Sequence, residues 1–199
     1  MQIAKTHFEQ NILRVKNLGS IYQSLNSDTA QLLDLSDILR SQYVMLISAL
    51  DHFIHEIVRF GMIETYNNQR TPTKAFKEFI LSLNKNILFT KAIMEEKNNT
   101  WLNGQIRYRN GFESFQESDK IKEALYLILE KDIWIEVQQD LGNEITMELN
   151  LIIKRRNQIS HEADIEPINQ ELREIREEDI TYSIELIESI VNKIFDVCR

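Results

Sequence analysis

Apolar residues recur along most of this chain at three- and four-residue intervals, the period of an amphipathic helix. The first such stretch, residues 1–18, carries Ile3, Phe8, Ile12 and Val15 and is expected to end near Gly19. Ser27-Asp28 reads as an N-cap opening a long helix to about Asn67. Pro72 begins the next helix, with Ala75, Phe76, Phe79, Ile80 and Leu83, and another piece runs from Ile87 to about Lys97 after Asn84-Lys85-Asn86. Residues 98–117, with Gly104 and Gly111, form the least regular part. Ser118-Asp119 caps a helix through Ile121, Leu125, Ile128 and Leu129. After Gly142-Asn143 comes a helix of roughly residues 144–160. Pro167 starts a short helix, and Asp179 caps the last, with Ile180, Ile184, Ile187, Ile190, Val191 and Ile194. There is no convincing strand, repeat or low-complexity tract. The pattern predicts an all-α bundle in one domain, with a long central helix and peripheral helices. Its core spans about 28–165 and is completed by a C-terminal helix at 179–199.

Composition agrees with this picture. Five glycines and two prolines in 199 residues are few enough to favour helix throughout. No apolar run reaches the roughly 18 residues of a membrane span, and the N-terminus lacks a signal-peptide core, so a cytoplasmic location is expected. Cys198 is the only cysteine, so no internal disulfide or cysteine-based zinc site is available. The net charge of −8 argues against a general nucleic-acid coat. A small local basic site remains compatible with it, because fields are local at physiological salt.

The densest chemistry lies at Lys154-Arg155-Arg156-Asn157-Gln158-Ile159-Ser160-His161. Arginine gives a fixed charge, asparagine a neutral hydrogen-bonding group, and histidine a proton carrier near neutral pH. Those properties suit phosphodiester cleavage without a metal or other cofactor. Ile145, Leu149, Ile152 and Ile159 fall within about 80° on a helical wheel, and Arg156 lies near the middle of that stripe. A buried arginine there needs a carboxylate or an interface. His161 stands about 140° round from Arg156, whereas Asn157 shares its face. Convergence of Arg156 and His161 therefore requires the helix to end near Ser160, or the two to meet across a dimer. The bland alternative is that Lys154, Arg155, Arg156 and His161 only complement the negative end of the helix dipole.

A second polar intrusion sits in the long helix. One apolar stripe holds Leu39, Tyr43, Leu46, Leu50, Phe53 and Ile57, and another holds Val44, Ile47, Val58 and Met62. Arg40, Asp51 and His55 share the second register. Asp51 wants a cationic or donor partner, with Arg156 preferred and Arg40 the alternative. His52, His55 and Glu56 have neither the HExxH order nor its inverse, so no metal is expected. Arg107, Tyr108 and Arg109, with Phe112 and Phe115, are candidates for stacking and holding unpaired bases, as are Lys154 and Arg155 for phosphates. The competing view of Phe112 and Phe115 is that both anchor a loop in the core, and Trp101 and Trp134 are read as packing residues.

Arg156-Asn157 followed by His161 resembles the R-x4-H motif of the HEPN superfamily (higher eukaryotes and prokaryotes nucleotide-binding). Leu39-Arg40-Ser41-Gln42-Tyr43 and Ser48 through Glu56 are similar to the first core helix of bacterial RiboL-PSP-HEPN proteins. Asn110-Gly111-Phe112 through Asp119-Lys120-Ile121 shares that likeness, so the resemblance covers most of 35–165. It implies a helical bundle that dimerises with paired motifs lining one cleft. It also implies a metal-independent ribonuclease acting in toxin–antitoxin or antiphage defence, with RNA as substrate and an antitoxin or defence protein as partner. Arg156 and His161 would be the catalytic pair, Asn157 the polar residue beside them, and Asp51 and Arg40 supporting positions. A noncatalytic HEPN module that binds a nucleotide or a partner protein is the alternative. Glu162-Ala163-Asp164 follows the histidine where such motifs often have glycine, and its two carboxylates are expected to oppose a phosphate. Ala163 occupies the place of the tyrosine modified in members silenced by AMPylation, so that control is not expected.

Overall fold

The computed structural model describes residues 1–29, 33–79 and 99–199. Among them are eight helices and no strand: α1 (Gln2–Thr29), α2 (Ser36–Tyr66), α3 (Lys74–Lys77), α4 (Thr100–Asn110), α5 (Ser118–Leu125), α6 (Ile133–Leu141), α7 (Ile145–His161) and α8 (Glu177–Cys198). The all-α class follows from the helical periodicity, and α2 is its axis. Leu39, Tyr43, Leu46, Leu50, Phe53 and Ile57 are buried on one side, and Ile47, Ile54, Val58 and Met62 beside them. Two apolar faces let α2 pack against α1, α4, α5, α7 and α8. Val44, assigned to the second stripe from its spacing, is instead exposed.

Several boundaries differ from the sequence expectation, each for a local reason. α1 does not stop at Gly19. A Cβ there would lie 2.9 Å from Gln42 Nε2, and that nitrogen donates to the Val15 carbonyl at 3.0 Å. Gly19 thus admits a side chain from α2 rather than ending a helix, and Ala4, not the exposed Ile3, completes the buried stripe. α2 begins at Ser36 rather than near Asp28, with Asp34 Oδ1 accepting the Ser36 N–H at 2.9 Å. α3 begins at Lys74 rather than at Pro72, and Thr73 caps it by accepting the Phe76 N–H at 3.0 Å. The expected continuation through Ile80 and Leu83, and the piece from Ile87 to Lys97, lie outside the described residues.

The stretch expected to be irregular contains α4, whose Leu102, Ile106 and Asn110 form one buried face. Gly104 is on its open side, with no atom within 4 Å of a would-be Cβ, so it leaves the helix intact. Among the described residues there, only Asn99 and 111–117 are non-helical. Ser118 does not cap α5 but ties three helices together. Its N–H and Oγ bond Asn150 of α7, and its carbonyl accepts Trp134 Nε1 of α6 at 2.8 Å.

Between α7 and α8 no helix forms at Pro167. The chain makes a hairpin-like loop with one isolated bridge, Ile165 to Leu172. α8 starts at Glu177, two residues before the expected cap, and Glu177, Glu178 and Asp179 occupy the first turn, where the helix dipole favours acids. Its residues Ile180, Ile184, Ile187, Ile190, Val191 and Ile194 are buried as their spacing predicts.

That loop is held by Asp164, which is 1% exposed. Arg40 Nε donates to its Oδ2 at 2.7 Å and Arg155 Nη2 to the same oxygen at 2.9 Å, while Arg155 Nη1 donates to Oδ1. Ala163 and Asp164 both have left-handed backbone, φ 50° and 58°, and such strain persists only where surrounding contacts over-determine it. The Asp164 N–H returns to the Gln158 carbonyl at 3.0 Å, and Arg40 and Arg155 donate further to the carbonyls of Arg173 and Glu174. Replacing Asp164 by Asn keeps the shape and tolerates the left-handed backbone, but it removes the charge and turns one of the two accepting oxygens into a donor facing a guanidinium. Two guanidiniums are then left without their shared anion, and urea denaturation of Asp164→Asn is expected to show a loss of about 3 kcal/mol.

Candidate functional site

α7 folds because Ile145, Leu149, Ile152 and Ile153 cover the core, while Gly142, at φ 95°, turns the chain after α6 so that α7 can start. Its polar C-terminal turns then divide by direction. Arg155 points to the 162–176 loop and is engaged by Asp164, so it is not available for phosphates. Lys154 is exposed and outside the cleft described next. Arg156, Asn157 and His161 line a cleft of about 510 Å³ together with Ile153. Its facing wall is Glu113, Ser114, Gln116 and Glu117, with Lys120 of α5.

The helix runs unbroken through His161, so an early end at Ser160 does not bring the motif together. Asn157, between the two in bearing, continues the wall from Arg156 to His161, and the breadth of the cleft accommodates the spread. Neither the Asn157 amide nor the exposed His161 ring has a hydrogen-bond partner among the described residues, and the buried Arg156 Nε has none. Burial lowers the proton affinity of the Arg156 guanidinium below the usual arginine range, against the opposing pull of the Asp51 carboxylate. Arginine's starting point is high enough that the group stays charged.

Asp51 acts on Arg156 only through that field. Contrary to the expected ion pair, its Oδ1 accepts the Phe115 N–H at 2.6 Å, and its Oδ2 lies 3.7 Å from His55 Nε2. The Phe115 ring packs on His55 with centroids 4.4 Å apart. Asp51 therefore fixes the middle of the 111–117 segment, the wall opposite the motif. Arg40, the alternative partner, is committed to Asp164.

The carboxylates expected to oppose a phosphate lie elsewhere. Asp164 is buried between two arginines, and Glu162 pairs with Arg173 at 3.4 Å; neither lines the cleft. Glu113 and Glu117 do line it, and sequence reasoning did not single them out, nor Lys120. Their only signal was that they fall inside the stretch 110–121.

Arg107, Tyr108 and Arg109 do not reach the cleft. Arg107 pairs with Glu56 at 3.2 Å, Tyr108 meets the Phe112 ring edge-on at 5.2 Å, and Arg109 lies 4.4 Å over the Phe79 ring. Of the two loop phenylalanines, Phe115 is buried as an anchor and Phe112 is exposed. Trp134 packs as expected, and Trp101 lies partly buried against the core. Among the described residues no three of His, Cys, Asp or Glu gather as metal ligands, and no helix is long and apolar enough to cross a membrane.

Comparison with curated proteins and with solved structures gives no match. A family match does exist, and it spans nearly all of the fold just described. The sequence model of RiboL-PSP-HEPN fits residues 9–197, from the first turns of α1 to the last of α8, and the chain belongs to that family.

Proposed function

We propose that this HEPN-family chain is a metal-independent endoribonuclease, working as a homodimer in the cytoplasm as a toxin or antiphage-defence effector. The observation that carries the reading is the contrast along α7. Arg155 is engaged by Asp164, whereas Arg156, Asn157 and His161 share one open cleft with no hydrogen-bond partner among the described residues. Polar groups held without partners in a concave site are suited to a substrate's acceptors and protons.

In this mechanism a 2′-hydroxyl attacks the adjacent phosphorus. The O2′–P bond forms and the P–O5′ bond breaks, giving a 2′,3′-cyclic phosphate and a 5′-hydroxyl. One group takes the 2′ proton and another delivers a proton to O5′. His161 serves one of these roles, and its copy in a dimer serves the other. Glu113 and Glu117 across the cleft are further proton acceptors within a single chain. Arg156 neutralises charge growing on the nonbridging oxygens, where its partly buried position strengthens the effect. An antitoxin or defence protein is the expected partner.

Cleavage of end-labelled single-stranded RNA in EDTA tests this. His161→Ala is expected to remain folded and to lose about 10²–10⁴-fold in rate. Cyclic-phosphate ends should come only from wild type, and DNA of the same sequence should stay intact. RNA left whole by both proteins, in structured and unstructured substrates, would replace the nuclease with a nucleotide- or partner-binding HEPN module. Arg156→Gln is expected to lower kcat by about 10²–10³-fold. Because Arg156 has no ion pair to lose among the described residues, its urea midpoint should not fall. A drop in midpoint without a rate effect would instead mark Arg156 as a structural residue.

A further inference from the structure

On the other side of the 111–117 segment lies a second polar hollow, of about 210 Å³, lined by His52, His55, Glu56, Arg59, Arg107 and Asn110 over the buried Ile106. Its one carboxylate is already satisfied. Both Glu56 oxygens take Arg59, with Nε at 2.9 Å, and Arg107 approaches at 3.2 Å. Burial pushes the Glu56 carboxyl up, but its bonds and proximity to Arg59, and then Arg107, hold it below the ordinary carboxylate range. Glu56 therefore stays charged, and the two guanidiniums leave the lining one positive charge in excess.

What remains unanswered is a donor. Asn110 is 5% exposed, yet its Nδ2 has no hydrogen-bond partner among the described residues. A buried amide N–H₂ without an acceptor is destabilising, and a ligand supplying one would recover that loss. Arg59 is held in place by Glu56, by Asn103 Oδ1 at 2.9 Å and by the Phe60 ring 4.0 Å beneath its guanidinium. Arg107, more than half exposed, has N–H groups to spare. Fixed donors, an exposed arginine and an excess of positive charge match a tetrahedral oxyanion.

We propose that this hollow is a phosphate-binding site, and that it holds a backbone phosphate of RNA whose scissile phosphate lies in the motif cleft. Phosphate recognition stands on the hollow alone, whereas its use as an RNA subsite rests on the ribonuclease reading. The two places flank one short stretch of chain. Asn110 lines the hollow and Glu113 the cleft, three residues on and at most about 11 Å away along the backbone. Phe115, between them, sets its ring on His55 of the hollow and its N–H on Asp51. A strand lying across the segment reaches both.

The test uses full-length His161→Ala protein, which does not consume its ligand, followed by NMR of the Asn110 side-chain amide and the His52 and His55 rings. One arm adds inorganic phosphate against chloride at equal ionic strength; the other adds a single-stranded oligoribonucleotide. Saturable shifts of these signals in both arms are expected, with binding weakened about tenfold or more in Asn110→Asp. Arg107→Gln, altered at an exposed side chain, guards against misfolding of the buried variant and should weaken binding in the same direction. Shifts with phosphate alone would support the site and overturn its use by RNA. Signals unmoved in both arms would overturn the proposal altogether. Failure of wild type to cleave RNA leaves the phosphate arm untouched, so the two readings fail separately.

Discussion

The carboxylate of Asp164 joins the central helix, the motif helix and the loop that follows it in one ionic contact. It lies between Arg40 of the central helix and Arg155 of the motif helix, on a backbone turned twice into the left-handed region. Charges removed from water are tolerated only when each is answered, and here one anion answers two cations while carbonyls from the next loop take their remaining donors. The direction in which α7 ends is thereby set against α2. Arg156, Asn157 and His161 inherit their place in the cleft from that setting, because the helix that carries them is anchored beside them.

A similar economy governs the opposite wall. Asp51, from the same central helix, holds the Phe115 amide and steadies the ring stacked on His55. Two acidic side chains of α2 and the loop after α7 thus define both sides of the cleft without entering it. The excess of acid in the composition is misleading at this scale. Asp164, Glu162 and Glu56 are matched by arginines, and the carboxylates that do face the cleft come from a segment with no charge pattern of its own.

Periodicity made the helices, the apolar face of α7 and the burial of α8 legible, because burial repeats every turn. The motif residues stood out as candidates, since their types and spacing are unusual on a helix. Contacts that depend on distant backbone were not. That Asp51 needs a donor can be read from its position among apolar residues; that an amide 64 positions away supplies it cannot. Arg155 looked like a last-turn charge because Ala163 gives no sign of a left-handed turn that would bring Asp164 back to it. Gly19 and Gly104 read as breaks, yet one makes room for Gln42 and the other faces open space. Glycine marks freedom of conformation, and only the neighbours decide its use.

The left-handed turn after α7 also changes what a signature for such chains should contain. Position 164 must accept positive φ, be short enough to fit between two guanidiniums, and carry a negative charge. Aspartate alone satisfies all three: asparagine lacks the charge, and glutamate is longer and less at ease in that backbone region. The word that places the candidate site in this sequence is therefore longer than R-x4-H. It begins at Arg155, ends at Asp164 and takes its remaining letter from Arg40, so that a chain matching the short motif but lacking this frame would spell the residues without placing them.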